Sequence, residues 1–546
     1  MRKILKWLEV TSSEAVAAEI LGHSNFNRLV LLGATLLFCA SMPLAAATFT
    51  VTSTASFGAG TLRSAISQAN AAAGADTIVF NVAGAGVRTI TLASALPTLS
   101  GGLVVDATTQ PGYAGTPLIA IDGTGAGSTS HGLAISGNNV TVRGLTLQSF
   151  SGDGVRVLAG SGNRIEQSWI GIDPTGTSAS PNQNGVWIEN AAGNFIGPGN
   201  TLSGNRVDGV RINGANSTGN RVFGNRAGTN PAGNVAIANL FNGVVVTGGS
   251  GNTIGGSTPA DNNVISGNTR SGIGIGAGAS SNLVARNTIG LAADGNTVLG
   301  NLIDGVLVLD APNNRIGGDV PGTFNTISGN GGDGIELRGA GATGNLVQRN
   351  VIGTSLFGND ARPNQGAGVR IAGAPDNVIG AATPQPNGSN LISGNIYAAM
   401  VIEAGAHRTL IQGNRIGTNL DGTQSLANTF GIVIDEADGI RIGVAGNGNL
   451  ISGNANYGVY AMGSSDMRLE SNFIGTRLDG NAALGNGGAG IYFGSGLTPC
   501  TNIVIGGSWG VSGNLISGTT VDGFRGDGLL LTCDNVTIKG NRIGTN

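Results

Sequence analysis

Lysine is nearly missing from this chain. Among 546 residues only Lys3, Lys6 and Lys539 are lysine, and charged residues of every kind make up 11%. No basic stretch is present to neutralise a phosphate backbone, so nucleic acid is excluded as a partner. Aromatic residues amount to 4% and cysteines to three, too few for a disulfide-dense scaffold. No Cys/His cluster has zinc spacing. The inserts NLDG (419–422) and RLDG (477–480) are the nearest approach to a calcium loop. Neither gathers enough carboxylates, so the expectation is no cofactor, calcium lacking a ligand cluster. There is no strict G-X-Y period, which excludes collagen. The apolar run near the N-terminus is too short for a comfortable membrane span, and no second run of spanning length follows it.

That run, LVLLGATLLFCA (29–40), follows Arg28 and precedes MPLAAA (42–47). Ala45 and Ala47 stand where an A-x-A cleavage site requires small residues, so residues 1–47 read as an export signal. Removing them leaves 24 basic against 28 acidic residues. The expected product is exported, extracellular or held at the cell surface.

What is abundant is glycine, 97 residues, beside a 40% hydrophobic content that is too high for a disordered Gly-rich chain. From residue 139 three phrases recur. The first is N-x-I-G, as in NTIG (252–255). The second is N-x-I-S-G-N, as in NVISGN (263–268). The third is G-[VI]-x-[IV], as in GIGI (272–275). Most repeats start 26 to 32 residues apart. Apolar residues two apart give the period of a strand, and each phrase ends in residues that tolerate a left-handed corner. Three short strands and three corners make one coil, and coils stack as parallel strands about 4.8 Å apart. The expectation is an all-β, right-handed parallel β-helix solenoid, with Ile and Val inside and Asn ladders at the corners. Within TLRSAISQANAAA (61–73), Leu62, Ala65, Ile66 and Ala69 share one face, predicting an amphipathic helix that caps the first coil. The organisation read from this is a signal at 1–47, a cap and first coils at 48–138, and repeats at 139–546.

These phrases, together with FTVTSTASFGAGTLRSAISQANAAAGADTIVF (49–80) and LPTLSGGLVVDATTQPGYAGTPLIAIDG (96–123), resemble the bacterial secreted β-helix repeat proteins of the pectin-lyase-like superfamily. The resemblance implies fold and export. It leaves activity open, because the superfamily hosts lyases, hydrolases, epimerases and adhesins. The β-helix polygalacturonases of that superfamily carry Asn-Thr-Asp, Asp-Asp, Gly-His-Gly and Arg-Ile-Lys. None occurs here, and Arg542-Ile543-Gly544 and Ser130-His131-Gly132 are the nearest approaches.

The phrase GNRIGTN occurs at 413–419 and again at 540–546. Its position in mid-coil the first time leads to the expectation that the second copy is also mid-coil and the sequence truncated. A frayed terminal coil is the alternative.

Aligning the repeats turns columns into contacts. Cys500 and Cys533 each lie three residues before a repeat start, predicting a disulfide between adjacent coils; two free thiols are the alternative. The outward column of G-[VI]-x-[IV] brings Trp187 between Arg156 and Arg211, and Tyr460 beside Tyr492. Aromatic faces stack on sugar rings and Arg pairs carboxylates, so these five residues are candidates for gripping an acidic polysaccharide or surface glycan. Loop inserts covering them is the other reading. The same alignment puts Glu403 beside Asp435 and His407 beside Asp438. Two adjacent carboxylates can divide into an acid and a base, which suits a retaining glycosidase. A solvated polar turn is the competing account. Asp153, Asp208, Asp304, Asp333 and Asp527 precede the Gly of this phrase, where Asn184 and Asn242 also stand, a pattern of corner geometry. The leading functional expectation is a secreted scaffold that binds polysaccharide or serves as an adhesin or structural rod. The alternative is a polysaccharide lyase, epimerase or glycoside hydrolase.

Overall fold

The structure, a computed structural model, describes residues 46–544 except 319, 383–388, 497, 509 and 519–527. The export signal lies almost wholly outside the described residues, as do Asp527 and the last two residues of the terminal GNRIGTN.

Three all-parallel sheets run the length of the rod. Sheet I has 17 strands and includes N-x-I-G phrases such as 252–255 and 314–317; sheet II has 16 and takes N-x-I-S-G-N and, on alternate coils, a second N-x-I-G such as 287–290; sheet III has 14 and collects G-[VI]-x-[IV]. Each strand pairs with its counterpart one coil away. Thus Ile316 faces Val347 in sheet I, Ile327 faces Ile352 in sheet II, and Glu336 faces Arg370 in sheet III. Parallel strands joined through crossovers wind right-handedly. The fold is the expected right-handed parallel β-helix with three strands per coil. Pairing continues without a break across residue 139, since Val104–Asp106 pairs with Thr141–Arg143 in sheet I. Among the described residues no helix is long and apolar enough to cross a membrane.

One apolar core runs from Val51 to Ile516. Sheets I and II each give it mainly one residue per strand, such as Ile316 and Ile327. Sheet III gives two, such as Ile335 and Leu337, all fully buried. Helix α1 (Leu62–Ala71) closes the first end. Its buried residues are the expected Leu62, Ala65, Ile66 and Ala69, and the Thr61 side chain caps its N-terminus by accepting from Ser64 N at 3.2 Å. Burying Leu62 and Ile66 contributes about 2 kcal/mol each. The polar face is tied down too. The Arg63 guanidinium donates to Ser94 O at 2.7 Å and Ala95 O at 2.6 Å, and Asn70 Nδ2 donates to Thr98 O at 2.7 Å. At the far end Cys500 and Cys533 form the expected disulfide, Cα–Cα 5.0 Å. The loop it closes corresponds to roughly 3–4 kcal/mol of lost unfolded-state entropy.

The corners carry three ladders of buried Asn. They run from Asn163 to Asn377 at the entry to sheet I, from Asn200 to Asn541 at the entry to sheet II, and from Asn182 to Asn486 at the entry to sheet III. The first ladder stops at Asn377, and Thr409, Ile440, Met467 and Ile503 fill its column. Asn325 shows the bonding pattern. Its Nδ2 donates to Val284 O and to Asn350 Oδ1, both at 2.9 Å. Its Oδ1 accepts from Asn287 N at 3.0 Å and Asn287 Nδ2 at 2.9 Å. The Gly of N-x-I-G has its own cause. Gly317 and Gly380 have φ of 106° and 112°, and a Cβ there would strike the carbonyl oxygens of Gln348 and Gln412 in the next coil. On alternate coils a short antiparallel hairpin follows sheet II, closed by bridges such as Thr354–Ala361 and Thr418–Ser425. These hairpins stack as a second layer, with Leu420 N donating to Gly358 O and Leu478 N to Gly422 O, both at 3.2 Å.

Replacing Asn325 by Ala leaves Asn287 N and Asn350 Oδ1 buried without partners and takes one of two bonds from Val284 O, which keeps Gly317 N. Urea unfolding should report a loss of about 3 kcal/mol. Hydrogen exchange should speed up first in the coils around 287 and 350, because each coil contacts only its neighbours. A loss below 1 kcal/mol would mean that the ladder contributes little.

Candidate functional site

The outward column of sheet III carries the chemistry-bearing side chains. Its register reads Arg156, Trp187, Arg211 near the N-terminal end, then Leu307, Glu336, Arg370, Val401, Val433, Tyr460 and Tyr492. Inward neighbours on either side fix each of these side chains outward, since strand side chains alternate.

The structure brings Arg156, Trp187 and Arg211 together. The Arg156 guanidinium lies 3.6 Å from the Trp187 ring centroid and that of Arg211 lies 5.3 Å away. Both cations also meet local acids. Arg156 bonds Asp153 at 2.9 Å and Glu189 at 2.6 Å, and Arg211 bonds Asp208 at 3.2 Å.

Tyr460 and Tyr492 stack at 5.0 Å with an interplanar angle of 12°. Three further rings join them, and these were not singled out from the sequence. Tyr457 lies 5.3 Å from Tyr460 and 5.6 Å from Tyr492; Phe430 lies 6.0 Å from Tyr460; Tyr397 lies 5.7 Å from Phe430. The signal was a second aromatic position, three or four residues before the outward residue of the strand. Four of the chain's five tyrosines thus gather on one face. Phe430 and Tyr460 rest on Ala367, Ala398, Val401 and Val433, a small apolar cluster outside the coil. Tyr397 is 42% exposed, and the other four rings are half-buried. Burial, then Tyr492, Tyr457 and Asp435, push the Tyr460 phenol up, so it stays a hydrogen-bond donor.

Beside the rings lies a belt of acids. Arg370 bonds Asp333 at 2.7 Å through Nε and pairs with Glu403 through its other end. Asp435 is exposed, and the register Ile402–Ile434 brings it next to Glu403. His407 and Asp438 meet as corner groups: Asp438 N donates to His407 Nδ1 at 3.1 Å, while Asp438 Oδ1 accepts from Ser465 N at 2.8 Å. The acids whose protonation the fold displaces are others. Burial, then the charge of Asp333, holds the Asp304 carboxyl above its usual range. Burial, then the charge of Asp304, does the same to Glu336, whose partner is Arg338 at 3.3 Å. Asp208 is also pushed up by burial, although Asn242 and Arg211 oppose it. Asp153 occupies the same column and burial pushes it up as well. There the bonds from His131, Asn184 and Arg156 outweigh burial and bring it down. Thus equivalent corner positions shift in opposite directions according to the side chains that face them. Among the described residues no group of His, Cys, Asp and Glu could hold a metal ion.

No family model matches the chain, and no curated protein does. Among solved structures, the catalytic domain of a GH87 α-1,3-glucanase in complex with tetrasaccharides is 12% identical over 90% of this chain and 69% of that one, with a TM-score of 0.33. The A-module of mannuronan C-5 epimerase AlgE6 of Azotobacter vinelandii is 13% identical over 91% and 100% of the two chains, TM-score 0.22. The periplasmic alginate epimerase AlgG is 12% identical over 76% and 80%, TM-score 0.28. These likenesses are too slight to carry an argument about this chain, whose fold rests on its own strand pairing.

An acid whose folded pKa is raised binds its proton more tightly when folded. Its contribution to stability is therefore lost as pH rises from the unfolded value, about 4, through the folded one. Asp304→Asn removes that loss, and Asn184 and Asn242 show that the column accepts the amide. Melting curves should give a higher Tm for the variant at pH 7 and no gain below about pH 4. An equal shift at both pH values would show that the effect is not protonation.

Proposed function

We propose that this protein is an exported β-helix rod that binds polysaccharide along the outer face of sheet III, with the five-ring cluster as its grip. The observation that supports the reading is the stack of Tyr397, Phe430, Tyr457, Tyr460 and Tyr492 over three coil steps, about 14 Å of rod. Large exposed apolar faces on soluble proteins mark contact sites. Flat rings meet the C–H face of a sugar while its hydroxyls stay in water or take a phenol hydrogen bond. The cations on this face are already matched by acids: Arg370 by Asp333 and Glu403, Arg156 by Asp153 and Glu189. A neutral chain therefore fits the rings better than a polyanion. Arg156, Trp187 and Arg211 form a second, smaller contact about 43 Å away along the same column.

A second reading, turnover of the bound glycan, draws on the raised Asp304 and Glu336 carboxyls, which lie on the same face as Glu403 and Asp435. Under it Glu403 and Asp435 are the acid and base, with His407 and Asp438 beside them, and the product is that of a hydrolase, lyase or epimerase.

Affinity electrophoresis in gels containing neutral or acidic polysaccharides tests the first reading. Retardation by a neutral glycan, weakened about tenfold by Tyr460→Ala or Tyr492→Ala, is the expected result. Binding that both variants keep unchanged would remove the cluster from the site. New reducing ends or unsaturated sugars, lost in Glu403→Gln or Asp435→Asn, would promote the second reading over the first.

Export rests on the apolar run at 29–40, its A-x-A site and the disulfide, which needs an oxidising compartment. N-terminal sequencing of protein recovered from outside the cytoplasm should start at Thr48. Recovery of a chain that starts at Met1 would count against the signal.

A further inference from the structure

A cavity of about 760 Å3 opens on the outside of sheet II, in the coils between Arg415 and Arg542. Its floor is the outward column Arg415, Leu450, Phe473 and Leu515, which the register places in successive coils. The stacked hairpins form one wall through Leu478, and the turn at Val511 forms the opposite rim. Volume and concavity are those of a small-molecule site.

The lining chemistry is uneven. Leu450 and Leu515 are buried, while Phe473 is 37% exposed and Val511 is 65% exposed. Most polar side chains in the lining are committed elsewhere; the exception is Asn447, whose Nδ2 bonds Ala381 O at 2.8 Å while its buried Oδ1 has no partner. Asn449 and Asn514 belong to the sheet II ladder: Asn449 Nδ2 bonds Asn472 Oδ1 at 2.9 Å, and Asn514 Nδ2 bonds Asn541 Oδ1 at 2.8 Å. Ser471 Oγ is held between Gly446 N and Val511 O. A sugar placed here would lose water from several hydroxyls and find one free acceptor, Asn447 Oδ1, and few other partners. No Asp or Glu stands in the described lining, yet two arginines do: Arg542, exposed at the open end of the column, and Arg415, buried at the other. Arg415 is only 8% exposed, its Nε has no hydrogen-bond partner, and its guanidinium bonds the Leu420 carbonyl without a facing carboxylate. Burial pulls the guanidinium down, with Asp421 the one acid opposing this from outside the lining. A buried cation without an anion is costly, and an incoming carboxylate would relieve it through a charge-assisted bond.

We infer that this cavity is a binding site for a carboxylate on an apolar body, such as an alkyl or aryl acid, with Arg415 meeting the carboxylate and Leu450, Phe473, Leu478 and Leu515 meeting the body. The site lies on a different sheet from the tyrosine cluster and does not depend on glycan binding there.

The test is calorimetric titration of the full chain with dodecanoate, dodecanol and galacturonate. Dodecanoate should bind at least about tenfold more tightly than dodecanol, the measure of one charge-assisted bond. Galacturonate, with the charge but not the apolar body, should bind more weakly still. Arg415→Met keeps the bulk and should bring dodecanoate down to the affinity of dodecanol. Leu478→Trp narrows the wall without touching the cation, and should weaken both alkyl ligands together. Equal binding of dodecanoate and dodecanol by the native chain, tight binding of galacturonate, or full dodecanoate affinity in folded Arg415→Met would each overturn the assignment.

Discussion

The constraint on which the rest depends is that a backbone turning inward at a corner must have its polar groups bonded inside the protein. Each coil has three such corners, and a buried amide left unpaired there costs more than one apolar residue returns. Asn resolves this because its side chain carries two donors and an acceptor on a short stem. Each corner Asn bonds the coil before it and the coil after it, as Asn325 bonds Asn287 and Asn350. The ladders therefore do for the corners what parallel pairing does for the strands. Both bond at the same spacing, so neither can shift without the other.

Fixing the inside this firmly frees the outside. The inward residues of sheet III are Ile, Val and their like coil after coil, whereas the outward column changes from Arg and Trp through Glu and Arg to Val and Tyr. Chemistry is set by which side chains the pitch makes neighbours. Asp153 and Asp208 sit in equivalent corners, yet one is driven down by His131 and Arg156 and the other stays raised by burial. The same rule acts on sheet II, where Arg415 occupies an outward slot that Leu450 and Phe473 fill in the next coils. The hairpin layer then encloses it.

Much of this was legible in the repeats. Apolar residues two apart gave the strands, the phrase length gave three strands per coil, and the offsets of Cys500 and Cys533 gave the disulfide. The face shared by Leu62, Ala65, Ile66 and Ala69 gave the cap helix. Pairs in one column were legible as well, since Tyr460–Tyr492 and Arg156–Trp187–Arg211 follow from counting. Tyr397, Phe430 and Tyr457 were not, because Tyr397 and Tyr457 sit in the corner before the strand and Phe430 on a strand's first residue, where the path depends on the turn and not on period. The ion pair of Arg370 with Asp333 and Glu403 was hidden for a related reason: it joins residues from different slots of three successive coils.

By itself, then, the sequence determined the coil, its direction of stacking and which residues become neighbours within a column, because a period of two along strands and a repeat of about one coil are properties of the chain alone. Tertiary structure decided the rest. It brought corner rings over strand rings, folded hairpins into a wall beside sheet II, and left Arg415 buried without an anion while Arg370 received two. Those outcomes depend on distances between side chains from different corners and faces, and only the closed coil sets those distances.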